Sequence, residues 1–436
     1  MMPPVVIGAG WSGLACAIGL VRQGHRPIVL DAAPHAGGRA RSFDHALGGL
    51  ERRLDNGQHL MLGAYRDTLG LMQTVGVSPA SALVRRPFAI TYPDGWQLAA
   101  AALPTPWHLA AGLLMARGMS PAERWSLARW SQLQARSGWT IAGDAPAASL
   151  FVGAPPALVR RLWRPLCLAA LNVELHEASA RIFLTVLRDS LGSDARSSEL
   201  LLPRRELSAI FPDPAVAWLR ARGAEVRLGC PVRAVKAGGA GTPHAIGLRD
   251  ETIHAEHVVL ALPGDRAAAL LAVSHPGFAP TAALLARVRH APISTTYLRY
   301  APGTHLARPM LALLDEPTRG VHGQWVFDRG ALDASLDGIL SVVISGDGPY
   351  RELNRDALGE SVARQLRNAL GLPAPQAHYS VIEKHATVVP EPGLKRPHTR
   401  LPVAGFYLAG DSADSPYPST IEGSVRSGLA AANAIG

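Results

Sequence analysis

The feature that most constrains this chain is Gly8-Ala9-Gly10-Trp11-Ser12-Gly13, set between an apolar run and a helical pattern. Before it stands Pro4-Val5-Val6-Ile7, whose β-branched residues suit a buried strand. After it, Leu14, Ile18 and Val21 recur on a helical period, and Pro27-Ile28-Val29-Leu30 gives a second apolar run ending in Asp31. Strand, glycine turn, helix and strand in that order turn a common GxGxxG pattern into a specific one. Gly8 permits the tight turn, Gly10 lets backbone approach a pyrophosphate, and Gly13 lets the helix pack closely on the sheet. The amides around Ser12, at the helix start, then point at the phosphates with the helix dipole behind them. Asp31, ending the second strand, can accept hydrogen bonds from ribose hydroxyls. The alternative is a glycine-rich turn in an ordinary α/β unit.

Just beyond Asp31 comes Gly37-Gly38-Arg39-Ala40-Arg41-Ser42. This resembles the GGRxxS/T element of the flavin enzymes of the amine oxidase and phytoene desaturase superfamily. The resemblance implies FAD as the cofactor rather than NAD. It implies that Arg39 approaches the FAD phosphates and that Gly38 keeps backbone clear of the cofactor.

At 436 residues the chain exceeds one ordinary domain, so two are expected, and a 48% hydrophobic fraction is ample for both cores. The net charge of +9 admits nucleic acid, anionic lipid or an acidic substrate. The arginines are scattered, with no lysine-rich block, which favours a membrane or plain solvated surface and excludes a nucleic-acid partner. Cys16, Cys167 and Cys230 form no CxxC pair and no metal-ligand spacing. Neither a metal nor a disulfide framework is expected, and a reducing cytoplasm fits. The N-terminus lacks a basic lead and its apolar run is already the first strand, so no signal peptide is expected.

Along the chain, Leu54-Asp55-Asn56-Gly57-Gln58-His59 leads to Leu62-Gly63-Ala64-Tyr65 and a helix over 65–75. Taken alone this is a polar turn before a helix. Residues 88–92 and 96–98 form a hairpin signal around Pro93-Asp94-Gly95. The most apolar stretch, Leu98 to Ala116, is interrupted by Pro104, Pro106 and His108, which argues against a spanning helix. Trp107 through Met115, followed by Trp125, Trp130 and Trp139 with flanking arginines, suits either a membrane interface or a core helix. Helices are expected over 182–191 and 351–370 and around Trp218. Two short strands are expected within 223–235 and one buried strand over 253–262. Strand character also marks 295–300, 324–327 and 339–345. At the C-terminus a strand, Phe406 to Ala409, precedes Gly410-Asp411, and Thr420-Ile421-Glu422-Gly423 starts a last helix, a further N-terminus suited to an anionic group.

These segments together resemble one branch of the superfamily, the hydroxysqualene dehydroxylases of hopanoid biosynthesis, once called squalene-associated FAD-dependent desaturases. The resemblance covers nearly the whole chain. It rests on Asp55 to His59 with Leu62 to Tyr65, on Trp163 to Ala170, on Leu201-Leu202-Pro203-Arg204 and on Thr420 to Gly423. It implies an α/β fold: a Rossmann-like FAD-binding domain with a parallel sheet, discontinuous in sequence (1–75, 204–275, 396–436). As in amine oxidases, an inserted α+β substrate domain (76–203, 276–395) is implied, and the candidate membrane-contacting helices of this chain fall within it. It implies that Gly57 and Gln58 pass beside the isoalloxazine ring, that Val232 backs the adenine, and that Gly410 and Asp411 meet the ribityl or phosphate region. The amide near Ile421 would face the flavin O2 edge. His59 and Asp55 become catalytic candidates because their motif should pass the ring, with structural roles as the alternative. One departure stands out: the branch usually has a tryptophan after Gly410-Asp411, where this chain has Ser412. The implied reaction is reductive, with hydroxysqualene losing its hydroxyl and receiving hydride from reduced FAD. The implied partners are an isoprenoid hydrocarbon, an unidentified electron donor and the inner face of the cell membrane, touched peripherally from the cytoplasm. Two alternatives stay open: a desaturase or amine oxidase-like enzyme running flavin oxidatively, and a non-catalytic prenyl-lipid escort protein on the same nucleotide fold.

Overall fold

The computed structural model describes residues 2–105, 107–239 and 241–436; Pro106, one of the interrupting prolines, lies outside them. Five short strands, Val5–Ile7, Ile28–Leu30, Glu225–Arg227, Val258–Leu260 and Phe406–Leu408, form a parallel sheet. Their spatial order is 225–227, 28–30, 5–7, 258–260, 406–408, with Val6 opposite both Val29 and Val259. The chain leaves strand 5–7 for one neighbour and later returns to its other side. The order therefore reverses at that strand's carboxyl end, where open α/β sheets bind ligands. Strands 5–7, 28–30, 258–260 and 406–408 are covered on both faces, as parallel sheets require, and are apolar without alternation, whereas the edge strand Glu225–Arg227 buries only Val226. Val6, Val29 and Val259 pack under the helices Trp11–Arg22 and Ile421–Ile435, while Ile7, Leu30, Leu260 and Phe406 face a second apolar cluster.

Two glycines of the first turn are dictated by space. Gly8 has φ +112°, and a Cβ there would sit 2.2 Å from the Ala261 carbonyl oxygen. A Cβ on Gly13 would sit 1.8 Å from the Gly8 carbonyl oxygen.

Residues 253–262 are not one strand. Thr252–Ala255 joins Ala234–Lys236 and His244–Gly247 in an antiparallel sheet, and Val258–Leu260 enters the parallel one. The reason is a change of partner: the His257 carbonyl accepts the Val5 amide at 2.9 Å, so the chain switches sheets at Glu256-His257. The two strands expected within 223–235 are Glu225–Arg227 and Ala234–Lys236, and they likewise go to different sheets.

The second large sheet is antiparallel, ordered Met310–Ala312, Trp325–Asp328, Ile339–Ser345, His290–Arg299, Ala377–Val388. Strand alternation splits its residues between two faces. Leu298, Val326, Leu340, Val342 and Ile344 pack on Leu358, Val362 and Leu366 of the helix Arg355–Leu370. Ile293, Trp325, Phe327 and Val343 point the other way, toward the helices Arg164–Leu171 and Ala180–Ser190. The expected hairpin forms as Ala89–Thr91 with Gln97–Ala99.

The apolar stretch after it divides its roles. In the helix Trp107–Leu114, His108 and Gly112 are buried, Leu109 and Leu113 pack half-buried on the core, and Trp107 and Leu114 face outward. Trp130 and Trp139 also belong to the core, Trp130 lying 4.3 Å between ring centroids from Trp163, whereas Trp125 is exposed. Among the described residues no helix is long and apolar enough to cross a membrane.

Candidate cofactor and substrate site

One cavity of about 960 Å³ begins at the carboxyl ends of the parallel strands and continues between the antiparallel sheet and the helices 164–171 and 180–190. Gly8, Gly10, Ser12, Asp31, Gly38, Arg39, Gly57, Gln58, Val232, Gly410, Asp411 and Ile421 all line it, as does His59. Gly13 does not, being pressed on Gly8 beneath the turn. Asp55 does not either: its buried carboxylate accepts the Ser42 hydroxyl and the Leu207 amide, both at 2.8 Å. Its contacts are those of a clamp between two stretches of chain, not of a group facing substrate.

The cofactor end has the parts a dinucleotide needs. Gly10, the residue before the helix Trp11–Arg22, has no side chain to cap the first-turn amides, and that turn holds no acidic residue. The buried Ser12 hydroxyl has no protein partner. Such an orphan beside free amides suits a phosphate oxygen. A Cβ on Gly10 would meet nothing nearer than the Gly38 Cα at 3.9 Å. The Asp31 carboxylate is held by the amides of Ala9 at 2.6 Å and Ala33 at 2.8 Å.

Arg39 is placed differently from the expected phosphate ligand. It donates to Asp411 Oδ2 at 2.7 Å and to the carbonyls of His385 and Ala386 at 3.0 and 2.9 Å. Burial works against its charge, and the adjacent Asp411 carboxylate more than offsets that, holding the guanidinium above its ordinary value. Burial likewise pushes the Asp411 carboxyl up, and Arg39 brings it below the ordinary range. A third of the Arg39 side chain is still reached by solvent along the cavity, though protein surrounds it deeply. Arg41 also lines the cavity and donates to the Gly38 carbonyl. Among the described residues it has no carboxylate within ion-pair distance.

The second helix N-terminus also departs from expectation. Thr420 caps it by accepting the Gly423 amide at 3.0 Å, and its first turn holds the buried acid Glu422. That carboxylate accepts the amides of Asp67 and Thr68 at 3.2 and 3.0 Å, so it caps the helix Arg66–Thr74 and ties it to the last helix. Ser412, where the branch has tryptophan, is buried and off the cavity. A Cβ on Gly264 would lie 2.9 Å from its hydroxyl oxygen, so the departure sits in packing rather than against a bound ring.

Gln58 is an anchor as much as a liner. Its side-chain oxygen accepts the Arg329 guanidinium and the Ser341 hydroxyl, both at 3.0 Å, fastening the turn to the antiparallel sheet. His59 Nδ1 lies 2.7 Å from the Gly57 carbonyl. A carbonyl only accepts, so Nδ1 carries the proton and Nε2 keeps its lone pair. Burial holds this imidazole below its ordinary value, and it is neutral at pH 7.

Beyond these residues the wall turns apolar: Leu166, Leu168, Phe183, Val186, Leu187, Ile293, Trp325, Phe327 and Val343. Asn172 is one of the polar liners that sequence reasoning missed, beside Asp189, Ser190 and Ser345. It ends the helix 164–171 in the left-handed conformation (φ 59°), bonding to the Pro292 carbonyl, the Thr387 hydroxyl and the Gly346 amide. An asparagine straight after an apolar helical run is the signal that could have marked it. Among the described residues no cluster of His, Cys, Asp or Glu is arranged to hold a metal.

A glycine turn for a dinucleotide, opening directly onto an apolar chamber, belongs to an oxidoreductase whose redox chemistry resides in a bound nucleotide. Comparison with known proteins sharpens that class. Residues 11–436 match the model for flavin containing amine oxidoreductases, and the chain belongs to that family. It is 32% identical to the hydroxysqualene dehydroxylase of Rhodopseudomonas palustris, over 99% of this chain and 97% of the relative. It is 31% identical to the hydroxysqualene dehydroxylase of Sinorhizobium fredii, over 98% and 97%. The solved structure of cyclohexylamine oxidase from Brevibacterium oxydans shares the fold, with TM-score 0.69 at 18% identity over 100% of this chain and 98% of that one. The protein is an FAD-dependent oxidoreductase with an amine oxidase-like fold.

Proposed function

We propose that this enzyme reductively removes the hydroxyl of hydroxysqualene to give squalene, in squalene and hopanoid biosynthesis. The observation that carries the reading is the cavity itself, whose wall beyond the cofactor end is mostly leucine, valine, isoleucine and aromatic side chains, with a few polar groups such as Asn172, Asp189 and Ser345 among them. The names of the full-length relatives support it. In this reading residues 1–75, 204–275 and 396–436 hold FAD, and 76–203 with 276–395 hold the hydrocarbon.

The first-turn amides and Ser12 would take the pyrophosphate, Asp31 the ribose, and Val232 the adenine. Gly57, Gln58, Gly410, Asp411 and Ile421 would flank the ribityl chain and ring. FAD held there in its reduced form would supply a hydride to carbon. The hydroxyl oxygen would take up a proton that enters from solvent and leave as water as the C–O bond breaks, and the hydride would complete the new C–H bond. The apolar wall keeps other water from the allylic cation, and few polar groups compete to capture it. His59, neutral and with Nε2 open, orients the substrate hydroxyl by accepting its hydrogen; it is not the proton source. Asp55, off the cavity, takes no part in the chemistry.

The test is anaerobic incubation of the FAD-loaded enzyme with hydroxysqualene and a chemical reductant, followed by product analysis. Squalene is expected. Flavin-loaded enzyme that leaves hydroxysqualene unchanged, or that yields a product with an added double bond, overturns the reductive assignment. A folded protein that binds lipid but no flavin would make it an escort protein.

A further inference from the structure

The apolar helix 107–114 wears its hydrophobic residues on the wrong side for a water-facing element. Trp107 is 65% exposed and Leu114 76%, and they share one face of the helix with Ala110. The opposite face is fixed: a Cβ on Gly112 would sit 2.2 Å from the Ala99 carbonyl oxygen, so the helix is pressed on the strand 97–99. That strand pairs with 89–91, and Phe88, Ala89 and Ile90 line the substrate cavity. The next helix, Pro121–Arg136, packs against the first and exposes Trp125 and Leu133 on a face with Arg129 and Arg136. Exposed apolar residues in this number mark an interaction site rather than ordinary surface. Trp and Leu interleaved with Arg is the composition of a membrane-interface element.

Charge says which partner. At the N-terminal end of the helix, a shallow basin beside Thr105 is lined by three arginines, Arg66, Arg85 and Arg196, against one acid, Asp194. Arg66 is paired with Asp194 and Arg85 with Glu199, while Arg196 has no carboxylate within ion-pair distance among the described residues. The chain as a whole carries +9. Two copies meeting through this face about a two-fold axis would bring like arginine basins to one contact, which disfavours a dimer. An anionic bilayer instead meets the arginines with phosphates and the tryptophan and leucine with acyl chains.

We propose that the helices 107–114 and 121–136, with the basin around Arg196, form a docking surface for anionic phospholipid that holds the substrate domain on a bilayer. Apolar insertion supplies the salt-resistant part of binding and the arginines the salt-sensitive part. The inference rests on the exposed face and the basin, not on the identity of the reaction. FAD content and turnover of detergent-dispersed substrate report on the reaction separately.

The experiment is cosedimentation of the FAD-loaded protein with phosphatidylglycerol–phosphatidylcholine vesicles, at low and high salt, beside thermal melts. Wild type should bind and partly remain bound at high salt. The Trp107→Ser/Leu114→Ser double variant should keep its melting temperature and flavin and lose at least about tenfold in partitioning. Arg196→Gln should weaken binding only at low salt, by a few-fold. If the double variant fails to fold, Trp125→Ser on the second helix carries the test, with the same loss of high-salt binding expected. A folded variant that binds like wild type, a wild type that ignores these vesicles, or a dimer that the substitutions split would each overturn the proposal.

Discussion

The two ends of the cavity are built on opposite terms. At the parallel sheet recognition belongs to the backbone: amides left free at a helix start, and glycines where a single added carbon has no room. At the antiparallel sheet it belongs to side chains, a wall of interchangeable apolar groups on one face of ordinary alternating strands. The first end therefore tolerates almost no substitution, and the second tolerates many provided the volume and polarity persist. A cofactor common to a large family needs the former; a flexible hydrocarbon with few polar atoms needs only the latter.

The sharpest way to break this contrast lies within the glycine turn. Gly13→Val puts a side chain into the Gly8 carbonyl and should abolish soluble, folded protein. Gly10→Val, at a residue with φ −72° and open space beyond its Cα, should fold with a near-normal melt yet lose FAD by at least about tenfold. Flavin retained stoichiometrically in a folded Gly10→Val protein would move the pyrophosphate elsewhere.

At the other end, Ala170→Trp should do the reverse. Ala170 lines the apolar part of the cavity on the helix 164–171, so an indole there occupies substrate volume. Turnover should fall at least about tenfold with FAD content unchanged. Loss of flavin along with turnover would mean that the two ends are not separable.

A smaller effect distinguishes the two arginines. Arg39→Ala leaves the buried Asp411 carboxylate without its 2.7 Å partner and should cost about 2 kcal/mol of stability. Arg39→Lys should restore only part of it, because an ammonium cannot reach Asp411 and the two carbonyls as the fork does. Arg41→Ala breaks no ion pair, so its stability should stay within about 0.5 kcal/mol of wild type. The superfamily pattern puts the larger loss of FAD affinity at Arg39. Read by flavin titration beside chemical denaturation, equal losses for Arg39→Ala and Arg41→Ala would move the phosphate contact elsewhere, and a larger loss for Arg41→Ala would assign it to Arg41.

The contrast also explains what could be read from the chain alone. The cofactor end was legible because its physics is local: Gly8, Gly10, Ser12, Asp31, Gly38 and Arg39 fall within 32 consecutive residues and meet at one strand end. Long-range placement was not legible. Nothing near Asp55 signals that Ser42 and Leu207 will claim its carboxylate, or near Glu422 that it caps a helix more than 350 positions earlier. The switch of sheets was marked only by the polar pair Glu256-His257, an interruption that a single strand exposed on one face can also carry. The substrate wall was visible only as composition, since the identity of each apolar residue matters less than its face. Trp107 and Trp130 went to the surface and against the core for reasons that only packing decides.

The central claim is that the enzyme works in the reductive direction on an allylic alcohol. It is tested most directly by running the reaction anaerobically in deuterated water with chemically reduced FAD, whose transferable hydrogen exchanges with solvent, and weighing the product. The account predicts squalene carrying one deuterium at a carbon of the former allylic system. Hydroxysqualene recovered unchanged from flavin-replete enzyme, or a product lighter by two hydrogens and free of deuterium, would contradict it.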